Sequence, residues 1–157
     1  MKQLFTLFLL ILLSCDMNNP NAIETIAQDS LEIDAIKKIL DTQKKCWNDG
    51  DIDGFMQGYW NSEKLIFTSL NHKPAYGWKN TLERYKNSYP TEYSMGEFRF
   101  EILDIEITSK KNAIVNGKWE LMRVNDHPNG LFWLDFEKID ENWLITKDST
   151  ISFDNYF

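Results

Sequence analysis

The sequence predicts an α+β domain, with helices at the N-terminal end covering one face of an antiparallel sheet. Three observations predict it. Apolar residues recur at helical spacing between Ile33 and Tyr89. Four runs of alternating polar and apolar residues then fill the chain from Glu97 to Phe153. Helices followed by a meander of strands describe helices packed on one sheet face. The chain has 157 residues, the size of one domain.

Each element follows from local pattern. Lys2 precedes the apolar run "LFTLFLLILLSC". One early positive charge, a short apolar core and a small residue before the cut describe a secretory signal over residues 1–14. The run is too short for a transmembrane helix, which needs roughly 20 apolar residues. Residues 15–29 are polar, contain Pro20 and carry no sustained period, so they are read as a flexible tether, with an early start of the first helix at Ile23 to Ala27 as the alternative. The domain proper is placed at residues 30–157.

Asp29 followed by Glu32 suits the start of a first helix. Ile33, Ile36, Leu40 and Trp47 form its stripe, with Gln43 as the polar exception. Asn48-Asp49-Gly50 stops that helix and Asp51 caps the next, where Ile52, Phe55, Met56 and Tyr59 share a side. "LIFTSL" (65–70) is strand-like and "NHKPAYG" is a turn or small hairpin. Trp78, Leu82, Tyr85 and Tyr89 mark a third helix, which Pro90 ends.

The strand "EFRFEILDIEI" alternates with a phase slip near Leu103 that reads as a bulge. "SKKN" turns the chain into "AIVNGKWELMRV", and "NDHPNG" leads into "LFWLDFEKI". "DEN" is a tight hairpin before "NWLITKDSTISF". Strict alternation then sets the faces. With Ile139 opposite Asn142, Phe136 pairs with Ile145, Leu134 with Lys147 and Phe132 with Ser149. A similar register sets Trp119 near Phe136 and Arg123 near Phe132. The inner face reads Val115, Trp119, Leu121, Phe132, Leu134, Phe136, Trp143 and Ile145. Arg123, Lys147 and Ser149 fall on the same face toward one end. Trp133, Asp135, Glu137 and Asp148 fall outside. A one-residue slip would exchange the two sets.

The formal net charge is −7, and removal of residues 1–14 takes away Lys2 and no acid. That balance disfavours nucleic acid and any stripe docking on anionic lipid. There are two cysteines, Cys15 and Cys46. Cys46 lies on the first helix, where a free thiol acts as a small hydrophobe. His72 and His127 both sit in turn-like segments, so a thiol–imidazole pair is not expected. No His/Cys/carboxylate cluster has metal-ligand spacing and there is no glycine-rich phosphate loop, so no metal or cofactor is expected.

Two resemblances sharpen this reading. "LLSC" resembles the lipobox of bacterial lipoproteins, with Leu12 at minus three, Ser14 at minus one and Cys15 as the acylated residue. It implies a protein anchored to a bilayer in the bacterial cell envelope, facing the periplasm. The segments "CWNDGDIDGFMQGYWNSEKLIFTS", "YGWKNTLERYKNSYP", "GKWELMR" and "KIDENWLITKDST" resemble, in that order, the NTF2-like superfamily, and within it the SnoaL-like and DUF4440 group. The resemblance covers about Leu31 to Ser152. It implies a cone of three N-terminal helices on a strongly curved antiparallel sheet. A pocket at the wide end and often a homodimer go with it.

In such a cone Gln43, Trp47, Tyr59, Phe67, Trp78, Trp119, Phe132 and Leu134 are candidate pocket residues. Arg123, Lys147 and Ser149 would supply cationic and polar donors; the alternative is that Arg123 and Lys147 lie at strand ends with their charged groups in solvent. The ketosteroid isomerase-like members of the superfamily need a carboxylate base and two donors for an enolate oxygen. Carried over residue by residue, the tyrosine donor falls on Gln43, the base near Phe67 and the protonated acid near Asp135. Phe67 takes no proton, and Asp135 faces outward by the register above. DUF4440-like relatives often carry Asp-His before the final Ser/Thr, where this chain has Asp148-Ser149. The expected role is therefore binding of a small, largely apolar or weakly acidic molecule, with no catalytic residues assigned. A protein-interaction module dimerising through the outer sheet face at Trp133 is the alternative, and an isomerase- or hydrolase-like enzyme comes last.

Overall fold

The computed structural model describes residues 20–70 and 72–153. The signal segment 1–14 and Cys15 lie outside the described residues. The elements are α1 (Pro20–Asn48), α2 (Ile52–Phe55) with a 3₁₀ turn (Met56–Gly58), β1 (Ile66–Ser69), β2 (Ala75–Tyr76), α3 (Trp78–Ser88), α4 (Glu92–Met95), β3 (Glu97–Ser109), β4 (Asn112–Met122), β5 (Asn129–Ile139) and β6 (Asn142–Ser152). They form one six-stranded sheet in the order β2-β1-β6-β5-β4-β3, with helices packed against its curved inner face. Antiparallel pairing holds except between β1 and β6, which run parallel, so the sheet is mixed rather than antiparallel throughout.

Helix α1 starts earlier than the pattern suggested. Residues 20–29, read as tether, are helical. Proline at a first helical position costs little, because its missing N–H would be unpaired there anyway. Residues 24–28 show no buried stripe, and Ile26 is 69% exposed. Glu32, expected as part of a cap, instead meets Lys138 and Trp143 on the sheet. From there Ile36, Leu40, Gln43 and Trp47 form the buried face.

Gly50 ends α1 with φ +77°, a backbone region that suits glycine. Asp51 caps α2 by accepting a hydrogen bond from Gly54 N. A fourth helix, α4, was not expected. It is a single turn after Pro90, held by a Thr91–Ser94 capping box. The β5–β6 hairpin turns through Asp140 and Glu141, both at positive φ, and pairs Ile139 with Asn142 as expected. The phase slip in β3 is a bulge between Ile102 and Asp104.

The core joins Ile36, Leu40 and Trp47 of α1 to Val115, Leu121, Phe132, Leu134, Phe136, Trp143 and Ile145 of the sheet. Two registers differ from those expected. Phe132 pairs with Gly117 and Phe136 with Ala113, while Trp119 pairs with Gly130. Gly117 is what lets Phe132 lie there, since a Cβ on it would come within 2.4 Å of the ring. The second difference bears on the site. Phe136 pairs with Ile145, but Asp135 pairs with Lys147, so Thr146 is an extra residue in β6. The bulge lies where β6 changes partner, from an isolated parallel bridge at Tyr59–Ile145 to β1 at Ile66–Lys147. Beyond it the parity reverses: Asp148 and Thr150 face inward, Lys147 and Ser149 outward.

Candidate functional site

Between α1, α3 and the inner face of the sheet lies a cavity of about 480 Å³. Its lining includes Gln43, Trp47, Tyr59, Phe67, Trp119, Arg123, Phe132 and Leu134. Three other expected pocket residues are elsewhere. Lys147 is exposed and Ser149 lies outside, for the bulge reason above. Trp78 packs against the core, its Nε1 donating to the Met56 carbonyl at 2.9 Å. Arg123 follows the end of β4, donating to Ser94 O at 3.2 Å and pairing with Asp126 at 2.7 Å. Of the expected cationic end, Arg123 stays in the lining but is paired with Asp126, and Lys147 and Ser149 are outside it.

In its place is Asp148, which strict alternation put on the outer face. It is 3% exposed and lines the cavity. Tyr59 donates its hydroxyl proton to Asp148 Oδ2 at 2.7 Å, and Thr150 donates to Oδ1 at 2.7 Å. Tyr85 Oη lies 3.3 Å from Tyr59 Oη. Burial pushes the Asp148 carboxyl up from 3.8 to about 6, against the Tyr59 and Thr150 hydrogen bonds and the Arg84 charge, which favour the anion. Burial, and then the Asp148 charge, hold the Tyr59 and Tyr85 phenols well above their ordinary range. Both are therefore neutral donors near neutrality.

The aromatic wall comes from several elements. Trp47 meets Phe55, Tyr85, Tyr89 and Phe98 with ring centroids 4.8–6.1 Å apart. Its Nε1 is buried without a partner among the described residues, so its hydrogen-bonding capacity is left for whatever enters. Gln43 is committed, with Nε2 donating to the Phe55 carbonyl at 3.0 Å. Phe67 stacks under the Arg84 guanidinium at 4.8 Å. Exposed His72 and Ser88 belong to the lining at the rim.

Phe67 lines the cavity and offers no proton acceptor, Gln43 is already bonded, and Asp135 pairs with Lys147 on the outer face. The buried carboxylate is on β6 instead. Among the described residues no group of three or more His, Cys, Asp or Glu is placed to hold a metal ion. Burial and the Asp51 charge raise the Cys46 thiol, a poor state for a nucleophile. Sequence reasoning missed Asp148, Tyr85 and Thr150 as a unit. The available signal was in "ITKDST": either parity buries a charged residue there.

A curved sheet closed by helices around a polar-ended aromatic cavity defines a cone-shaped α+β domain with an internal chamber. The chain belongs to the NTF2-like family. It is 44% identical to an NTF-2-like protein of unknown function from Shewanella oneidensis MR-1, over 76% of this chain and 98% of that one, with a TM-score of 0.73. A ketosteroid isomerase-like protein from Erwinia carotovora atroseptica shares the fold at 17% identity, over 78% and 96% of the two chains, with a TM-score of 0.66. An NTF2-like protein with a cystatin-like fold from Novosphingobium aromaticivorans shares it at 8% identity, over 88% and 92%, with a TM-score of 0.67. No protein-family model matches the sequence, and no curated protein matches it significantly.

Proposed function

We propose that this domain binds a small, largely apolar molecule inside its cone. The observation that carries the reading is a chamber of about 480 Å³ that the protein's own side chains leave unfilled, walled by aromatic rings around a buried carboxylate. Pockets of this kind, mostly apolar with a few convergent polar groups, are where small molecules bind. The opposite arrangement, rings meeting across a closed core, would have left no room for a ligand.

Native mass spectrometry of protein isolated from its own cell envelope tests this directly. A retained small molecule, released on denaturation, is expected. Tryptophan fluorescence should also respond to small aromatic compounds, since Trp47 and Trp119 are in the wall. No retained mass and no response to any apolar probe would end the proposal.

Membrane anchoring through Cys15 and a place among the SnoaL-like and DUF4440 domains are part of the same proposal and rest on the sequence motifs. Cells fed an alkyne fatty acid should label the wild type and leave Cys15→Ser unlabelled. Equal labelling of both would remove the anchor. A homodimer is a second reading. Trp133 and Ile114, 41% and 38% exposed on the outer sheet face, support it.

A further inference from the structure

We infer that the polar group of the ligand is a hydrogen-bond donor on a cation, so that the cavity takes a small, apolar amine in its protonated form. This deepens the proposed binding function and rests on it. The argument is the direction of the hydrogen bonds. The Tyr59 proton and the Thr150 proton both point at Asp148. Because Tyr59 has spent its proton, any hydrogen bond at the 3.3 Å Tyr59–Tyr85 contact must be donated by Tyr85. What this network leaves free for a ligand is lone pairs, on Asp148 and on Tyr85. At Asp148 those accept, so a carbonyl or carboxylate would meet acceptors there; the unpartnered Trp47 Nε1 elsewhere in the wall is a neutral donor.

Charge points the same way. Asp148 makes no ion pair within 4 Å among the described residues. The cations that share the lining are otherwise engaged. Arg84 lies over Phe67 and donates to the Lys73 carbonyl, and Arg123 pairs with Asp126. A buried carboxylate held only by neutral hydroxyls is favoured by a bound cation. Aromatic faces from Phe55, Tyr59, Tyr85 and Phe67 lie close by, and such faces attract an ammonium group. Arg84 opposes a second cation by charge, and also helps to keep Asp148 ionised.

The test compares isosteres on the intact folded protein by calorimetric or fluorescence titration: 2-phenylethylamine, 2-phenylethanol, propylbenzene and 3-phenylpropionate. At pH 7.5 the amine should bind about tenfold to a hundredfold more tightly than propylbenzene, the range of one charge-assisted hydrogen bond. Asp148 is ionised above about 6, so the amine should weaken by about tenfold between pH 7.5 and pH 5, as free Asp148 takes up its proton. Propylbenzene should bind equally at both. His72 shares the lining, so His72→Gln should keep the same pH profile. Asp148→Asn, checked for native near-ultraviolet dichroism, should lose the amine preference, and Tyr85→Phe should lose part of it.

Tighter binding of the alcohol or the carboxylate, or an amine affinity that rises on acidification, overturns the inference and leaves the cavity reading standing. So does an amine affinity that Asp148→Asn leaves unchanged. The wild-type pH series decides the matter even where a variant does not fold. Binding of none of the four, propylbenzene included, removes the cavity reading and this inference with it.

Discussion

Replacing Trp143 by alanine is expected to lower the unfolding free energy by about 3–5 kcal/mol, the cost of deleting a fully buried aromatic side chain. Trp143 is 4% exposed, at the start of β6. It does more than fill space. Its Nε1 donates to Glu32 Oε2 at 2.7 Å, and Lys138 donates to both Glu32 oxygens at 2.8 and 2.9 Å. The Lys138 ammonium also lies 5.6 Å from the Trp143 ring. This cluster ties α1 to the β5–β6 hairpin. Lys138 first, and then Trp143, hold the Glu32 carboxyl below its ordinary value.

Trp143→Phe separates the two contributions. It keeps most of the ring contact and removes the bond to Glu32, so a smaller loss, about 1.5–3 kcal/mol, is expected. Denaturant melts at pH 7 read both. A loss below about 1 kcal/mol for Trp143→Ala would place the side chain outside the energetic core. The lowered Glu32 value has a sign of its own. Its stabilisation is present above the ordinary carboxylate range and is lost as the pH falls through the folded value, below 4.5.

Asp148 has the opposite sign. Its folded value, about 6, lies above the ordinary 3.8, so the folded protein binds this proton more tightly than the unfolded chain does. Stability from this group therefore rises as the pH falls from about 6 toward 3.8, and is absent above about 6. The full span corresponds to roughly 3 kcal/mol, with about 1 kcal/mol gained by pH 5. Urea melts at pH 7.5 and pH 5 should show that gain in the wild type relative to Asp148→Asn, whose side chain does not titrate. A difference between the two proteins that does not change with pH would mean that Asp148 is hydrated rather than buried.

Periodicity carries far on elements whose stripe is buried. Ile36, Leu40, Gln43 and Trp47 could be read because α1 presents one face to the sheet there. Residues 24–28 could not, because they are exposed, Ile26 among them. The hairpin at Asp140–Glu141 was legible because two-residue turns have their own chemistry and set the pairing beside them. That register failed four residues further on. A strand read by strict alternation has no way to announce an extra residue, and Thr146 is one.

By itself, the sequence determined the α+β class, the order of most elements and most of the inner face, since buried stripes and alternation are local properties of the chain. It also carried the likeness to NTF2-like domains in the order of short motifs. The tertiary structure alone decided which polar residue enters the cavity. Tyr59 bridges to β6 at Ile145, β1 takes over at Lys147, and the one-residue bulge between them turns Asp148 inward and Lys147 out. That choice puts a carboxylate rather than an ammonium on the cavity wall. It depends on which strands lie beside β6, and strand neighbours are set by contacts between segments about 80 residues apart.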